Sequence, residues 1–306
     1  MTVLKENIPS ACSKQSRGFL PLFSFWMVFF LTVHYHTAAQ NKSTPPYKVY
    51  NPDTEKETAL QEIVDRMDGI SILFFGEEHD NTTGHYIQDT LYKMLLEKYP
   101  QVTLSMEMFE RDVQLVLDEY LTGIITEAKL IEEARAWNNY KESYSPMVNR
   151  AKDHQQPVIA ANAPGRYVNL VNREGPEALH SLSKHAKKYV NFINLDIDDT
   201  AYKKKFSDAM GEHAHHMGPN MFYAQLLRDE TMAESLYNNW RSDRKDKIFH
   251  ITGRFHSDER LGTVHRLLNQ KKPPKLLTIS CFSAEDFDDP DWGKYKSLAD
   301  YIIITP

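Results

Sequence analysis

Cysteine is nearly missing from this chain: Cys12 and Cys281 are the two present in 306 residues. Cys12 stands ahead of an apolar amino-terminal run, so a chain that loses its leader keeps a single thiol. One thiol excludes an internal disulfide and a thiolate metal cage, and Cys281, at the end of a strand-like run, reads as a buried apolar residue. No cysteine stands just after the apolar run either, so the acceptor that a bacterial lipoprotein would use is not there. A basic excess is also absent: 42 Asp plus Glu face 36 Lys plus Arg, for a net charge of −6. Without a basic footprint, nucleic acid is not an expected partner. The acids Asp196, Asp198 and Asp199 lack the glycine and distal glutamate of a calcium loop. Repeats of solenoid length and Pro/Ser-rich joints are missing as well, so the mature chain reads as one domain.

What is present begins with Lys14 and Arg17, then an apolar run from Phe19 to Val33. As a helix it would span about 22 Å, short of the ~30 Å hydrocarbon core but suited to the centre of a secretory signal. Thr37-Ala38-Ala39 supplies small residues for cleavage before Gln40. The expectation is a signal peptide over 1–39, with a retained membrane anchor as the alternative. Residues 40–53 then read as a linker and 54–306 as the folded domain. The destination is the periplasm or envelope.

The domain is organised around Ser71-Ile72-Leu73-Phe74-Phe75-Gly76-Glu77-Glu78-His79. A run able to sit in a buried strand meets a glycine and then a polar cluster, as a strand does when it delivers side chains to the rim of a parallel sheet. The pattern recurs at Ile248-Phe249-His250-Ile251-Thr252-Gly253-Arg254-Phe255-His256. If both strands share one parallel sheet, His79 and His256 point into one crevice beyond its carboxyl edge. Glu107, after the strand-like Val102 to Met106, is a third candidate for the same rim. Helical spacing over Thr83 to Tyr99 puts His85 and Gln88 in first turns that open on the crevice, where free backbone N–H groups suit an anion.

Further strands are expected at Pro157–Ala161 and Leu276–Cys281, with a short edge strand at Tyr301–Thr305. The fold class is therefore α/β, a mostly parallel central sheet flanked by helices, with a helical insertion between the third and fourth strands. Within the insertion, His213, His215, His216 and Met217 lie between two glycines and read as a loop that reaches over a ligand, since short His-rich tracts bind metals. Trp137, Tyr140 and Tyr144 form an aromatic cluster that either packs the core or lines a flat, apolar ligand.

On these motifs, with Ala161-Asn162-Ala163-Pro164 and Gln225-Leu226-Leu227-Arg228-Asp229-Glu230, the chain resembles the haem-binding uptake proteins of the Tiki superfamily, the ChaN family. The resemblance implies haem near a homodimer interface and a role in iron uptake. Tyr140, Tyr144, His213, His215 or His216 would meet the iron, and Trp137 would cover the porphyrin. An outer-membrane haem or iron receptor as donor is in doubt without the lipoprotein cysteine. The wider superfamily implies an alternative, a metal-dependent peptidase or esterase. There His79, Glu107 and His256 would hold zinc or manganese, with Glu78 or His85 moving protons and Arg254 or Arg228 facing an oxyanion.

Overall fold

A computed structural model describes residues 45–192, 195, 200–211 and 218–306. The amino-terminal run, its cleavage site and the histidines at 213, 215 and 216 lie outside the described residues. Residues from Thr44 onward form one compact unit.

Eight strands form a single sheet: β1 Lys48–Asn51, β2 Lys56–Thr58, β3 Ile72–Glu77, β4 Val102–Glu110, β5 Val158–Asn162, β6 Lys247–Gly253, β7 Leu276–Ser283 and β8 Tyr301–Thr305. Their order is β2-β1-β8-β7-β3-β6-β4-β5. Every pairing from β8 to β5 is parallel, and the β1 pairings to β2 and β8 are antiparallel. The helices are α1 Leu60–Arg66, α2 Thr82–Lys98, α3 Gln114–Leu121, α4 Glu127–Glu133, α5 Tyr140–Ser143, α6 Ser145–Asp153, α7 Gly165–Glu174, α8 Thr200–Met210, α9 Met221–Ser242, α10 Gly262–Leu268 and α11 Trp292–Tyr295. Helices α7, α8 and α9 form the expected insertion between β5 and β6.

The central strands are apolar on both sides because helices cover both. Leu73 and Phe75 of β3 pack with α1, α2 and α6, whereas Ile72 and Phe74 pack with Ala233 and Leu236 of α9 and Val264 and Leu267 of α10. This is the period-two alternation of a strand in a covered parallel sheet.

Two expectations need correction. Lys48–Asn51, placed in the linker, is strand β1, because Val49 and Tyr50 are buried against β8 and the hydrophobic cores on either face. As a result β8 is not an edge strand: it lies between β7 and β1, with all five of its residues buried.

Candidate functional site

Strands β3 and β6 are neighbours, with Gly76 opposite Thr252 and Glu77 opposite Gly253. The two Gly-x-x-His turns therefore leave the sheet side by side, and each glycine makes room for the other turn. A Cβ at Gly76 would collide with Ser257 Oγ and stand 2.9 Å from Arg254 Cα; one at Gly253 would stand 3.0 Å from His79 Nε2 and 3.7 Å from Glu107 Oε2. His79, Glu107 and His256 thus converge as the sequence predicts.

They converge as an ion-pair network. Glu107 Oε2 accepts from Thr252 Oγ1 at 2.7 Å and from the Gly253 amide at 2.8 Å, and Glu107 Oε1 lies 3.5 Å from His256 Nε2. His256 Nδ1 donates to Asp229 Oδ1 at 2.7 Å, while Tyr202 and Thr263 hydroxyls hold the same carboxylate at 2.9 and 2.8 Å. Burial opposes a charge on His256, but the Glu107 and Asp229 carboxylates outweigh it and push the imidazole up to about 10. Burial would also raise Glu107, yet His256 and His79 hold it well below the ordinary carboxylate range. With both carboxylates beside it, His256 favours its protonated form in this arrangement. Among the described residues, no three His, Cys, Asp or Glu side chains are arranged to hold a metal ion.

Glu77, buried at the end of β3, builds the second half. Its Oε1 accepts from Tyr144 Oη at 2.6 Å and His79 Nδ1 at 2.8 Å, and its Oε2 takes the Gln88 amide and lies 3.6 Å from His85 Nε2. Glu77 thereby fixes His79 through Nδ1 and leaves Nε2 on the Gly253 side of the crevice; the side chain is 46 % exposed beside Trp137, with ring centres 4.9 Å apart. Asn139 fixes its backbone through a 2.9 Å bond to the His79 carbonyl. Desolvation opposes protonation of His79, but the Glu77 hydrogen bond and the charges of Glu107 and Glu77 raise its pKa. His85 is the opposite case. It is buried, burial holds it below the ordinary histidine value, and neither ring nitrogen has a hydrogen-bond partner among the described residues.

Several expected residues do other work. Tyr140 is enclosed in the core against Phe109, and burial pushes its phenol up. Tyr144 reaches the site but gives its hydroxyl to Glu77, and burial with that carboxylate pushes its phenol up too. Neither tyrosine presents an oxygen to an iron in this arrangement. Arg254 is taken up by Asp258 at 2.9 Å and lies over the Phe282 ring, while Glu78 accepts from the Ser283 amide at 2.9 Å and pairs with Arg254. Glu78 and Arg254 thus brace the β7 side of the rim.

Sequence reasoning did not single out Glu77, Asp229 or Gln225. Glu77 could have been found from its spacing, since positions 77 and 79 of an extended chain face the same way. Asp229 and Gln225, four apart on α9, could likewise have been read as one helical face.

An α/β sheet that presents two carboxylate–imidazole pairs at its carboxyl edge defines the class of this protein. The chain belongs to the haem-binding uptake family of the Tiki superfamily, ChaN, whose profile matches residues 63–267 and so encloses the whole site. Among solved structures, ChaN of Campylobacter jejuni, described for cofacial haem binding, superposes with a TM-score of 0.63 at 15% identity, covering 85% of this chain and 97% of that one. An erythromycin esterase mutant, EreC, gives 0.46 at 10% identity over 78% and 77%. The type III effector HopBA1 gives 0.46 at 10% identity over 86% and 98%. No curated protein matches the sequence.

Proposed function

We propose that this protein binds haem at the carboxyl edge of its sheet and serves iron uptake. The observation that carries the reading is His79, together with the family: an exposed imidazole, fixed through Nδ1 by a buried carboxylate, with Nε2 free of any protein hydrogen bond among the described residues. A carboxylate behind a ligating histidine sets its tautomer and strengthens it as a donor. Haem, when bound, would supply an iron that such a nitrogen could hold. Trp137 flanks the imidazole and offers an apolar edge to the macrocycle, and buried His85 lies 3.6 Å from Glu77.

The test is a hemin titration followed by the Soret band. His79→Ala is expected to weaken binding at least about tenfold, the usual cost of losing a supported ligand. Unchanged binding in that variant overturns the assignment of His79. Replacing His213, His215 and His216 together tests whether they would also hold the iron: a further loss of hemin affinity supports it, and unchanged affinity removes it. The reading extends to a haem-loaded homodimer that stacks haem across the crevice, which predicts a doubled mass by light scattering when hemin is added. Export with cleavage after Ala39 predicts a mature chain that starts at Gln40.

A second reading is favoured by one observation, the pair of carboxylate-held imidazoles flanking Glu107. His79, oriented by Glu77, is suited to take a proton from water, and the His256 imidazolium to give one up. Ester or peptide hydrolysis that disappears in both His79→Ala and Glu77→Gln, in protein containing zinc or manganese or neither, would support it. Full hemin binding with no hydrolysis of either bond would remove it.

A further inference from the structure

Between α7, α8 and α9 lies a cavity of about 350 Å³ that the network above does not use. Val168, Phe206, Met210 and Met221 supply its apolar wall, Asn169 and Asn172 of α7 are also in its lining, and Gln225 and Arg228 of α9 bring an amide and the one charged group among the described lining residues. These two stand three apart on α9, so they project from neighbouring positions on one face. The Gln225 amide nitrogen is 3.3 Å from both ring nitrogens of His256, which lays it over the imidazole and joins the cavity to the crevice.

Arg228 differs from the arginines of the fold that hold carboxylates. Arg111 holds Glu234, Arg166 holds Asp112, Arg254 holds Asp258 and Arg260 holds Asp300. Arg228 is partly buried, yet among the described residues it has neither an ion pair nor a hydrogen bond. A guanidinium withdrawn from water keeps five donors in a rigid fork that matches a carboxylate, and it gains from finding one.

We propose that this cavity is a subsite for the carboxylate end of an amphipathic ligand: Arg228 grips the carboxylate with paired N–H groups, and the adjoining apolar chain lies against Val168, Phe206 and Met221. Its size is at the small end of the roughly 300–1,000 Å³ usual for ligand pockets, so it takes one arm and leaves the body of the ligand toward His256. Where the ligand is haem, a clause that rests on the reading above, the arm is a propionate.

The experiment compares purified wild type, Arg228→Ala and Arg228→Lys with hemin and with hemin dimethyl ester. Wild type is expected to prefer the acid at least about tenfold, Arg228→Ala to lose that preference and Arg228→Lys to recover part of it. Because Arg228 supports nothing else among the described residues, Arg228→Ala should keep the wild-type thermal midpoint. Equal affinity for acid and ester in the wild type, or a preference that survives in Arg228→Ala, overturns the subsite. If wild type takes up no hemin, the haem reading falls separately, and the cavity is probed with decanoate by calorimetry. Decanoate binding lost in Arg228→Ala upholds the subsite; no binding, or binding that Arg228→Ala retains, overturns it.

Discussion

Charge at single residues decides how this site responds to pH. His256 is raised in the folded state to about 10 from an ordinary 6.5. Its contribution to stability is therefore complete below about pH 6.5 and is lost as pH rises through about 10. Glu107 is depressed, so its contribution is present above the ordinary carboxylate range near 4.5 and is lost as pH falls below it. Denaturation midpoints are expected to be highest between about pH 5 and 6.5 and to decline toward pH 10. His256→Gln, although destabilising overall, should abolish the alkaline part of that slope. If the variant keeps the wild-type slope between pH 6.5 and 10, His256 is not the charged partner of Glu107. His79 carries a second dependence with the opposite consequence for ligand. Its raised pKa means that iron competes with a proton, so hemin affinity should fall as the medium is acidified through neutrality. A flat affinity between pH 8 and 5.5 would exclude an iron-bound His79.

The elements of the site are held by two tight turns, and their tolerance is asymmetric. A Cβ at Gly76 collides with Arg254 backbone at 2.9 Å as well as with Ser257, so the whole second turn would have to move. Gly76→Ala should cost about 1–3 kcal/mol in chemical denaturation, the usual penalty of overpacking. At Gly253 the neighbour at 3.0 Å is the His79 ring, a side chain able to yield. Gly253→Ala should therefore lose less stability but shift the Soret band of bound hemin. Both turns were legible in the sequence, since an apolar run, a glycine and a histidine three positions on appear twice. Their consequence for Glu77 was not. That carboxylate becomes the hub for His79, Gln88, Tyr144 and His85 only when α2 and α5 pack over the end of β3, contacts that span up to 67 residues. Tyr144 shows the same limit. A phenol near a crevice reads as a ligand, and only the position of Glu77 makes it a hydrogen-bond donor instead.

At the scale of the whole molecule, β8 joins the antiparallel β1–β2 pair to the parallel part of the sheet. Tyr301, Ile302, Ile303 and Ile304 are all fully buried between β7 and β1. Deleting residues 301–306 would expose side chains worth about 1.5–3 kcal/mol each, comparable in sum to the 5–15 kcal/mol that stabilises a typical domain. Soluble, cooperatively folding protein is not expected from that deletion; a truncated chain with a wild-type melting transition would contradict the topology. By itself the sequence determined the alternation of strands and helices, the insertion that the structure places between β5 and β6, and the meeting of two histidines at one sheet edge. It could do so because these follow from periodicity and from breaks within a few residues. Tertiary structure alone decided that β8 is interior and β1 part of the sheet, because Lys48–Asn51 is too short and too polar to announce a strand until β8 lies beside it. It also decided which groups pair: Glu77 with His79, Glu107 and Asp229 with His256, and Arg228 with none among the described residues. Those partnerships depend on distances between segments far apart in the chain, and residue order does not encode such distances locally.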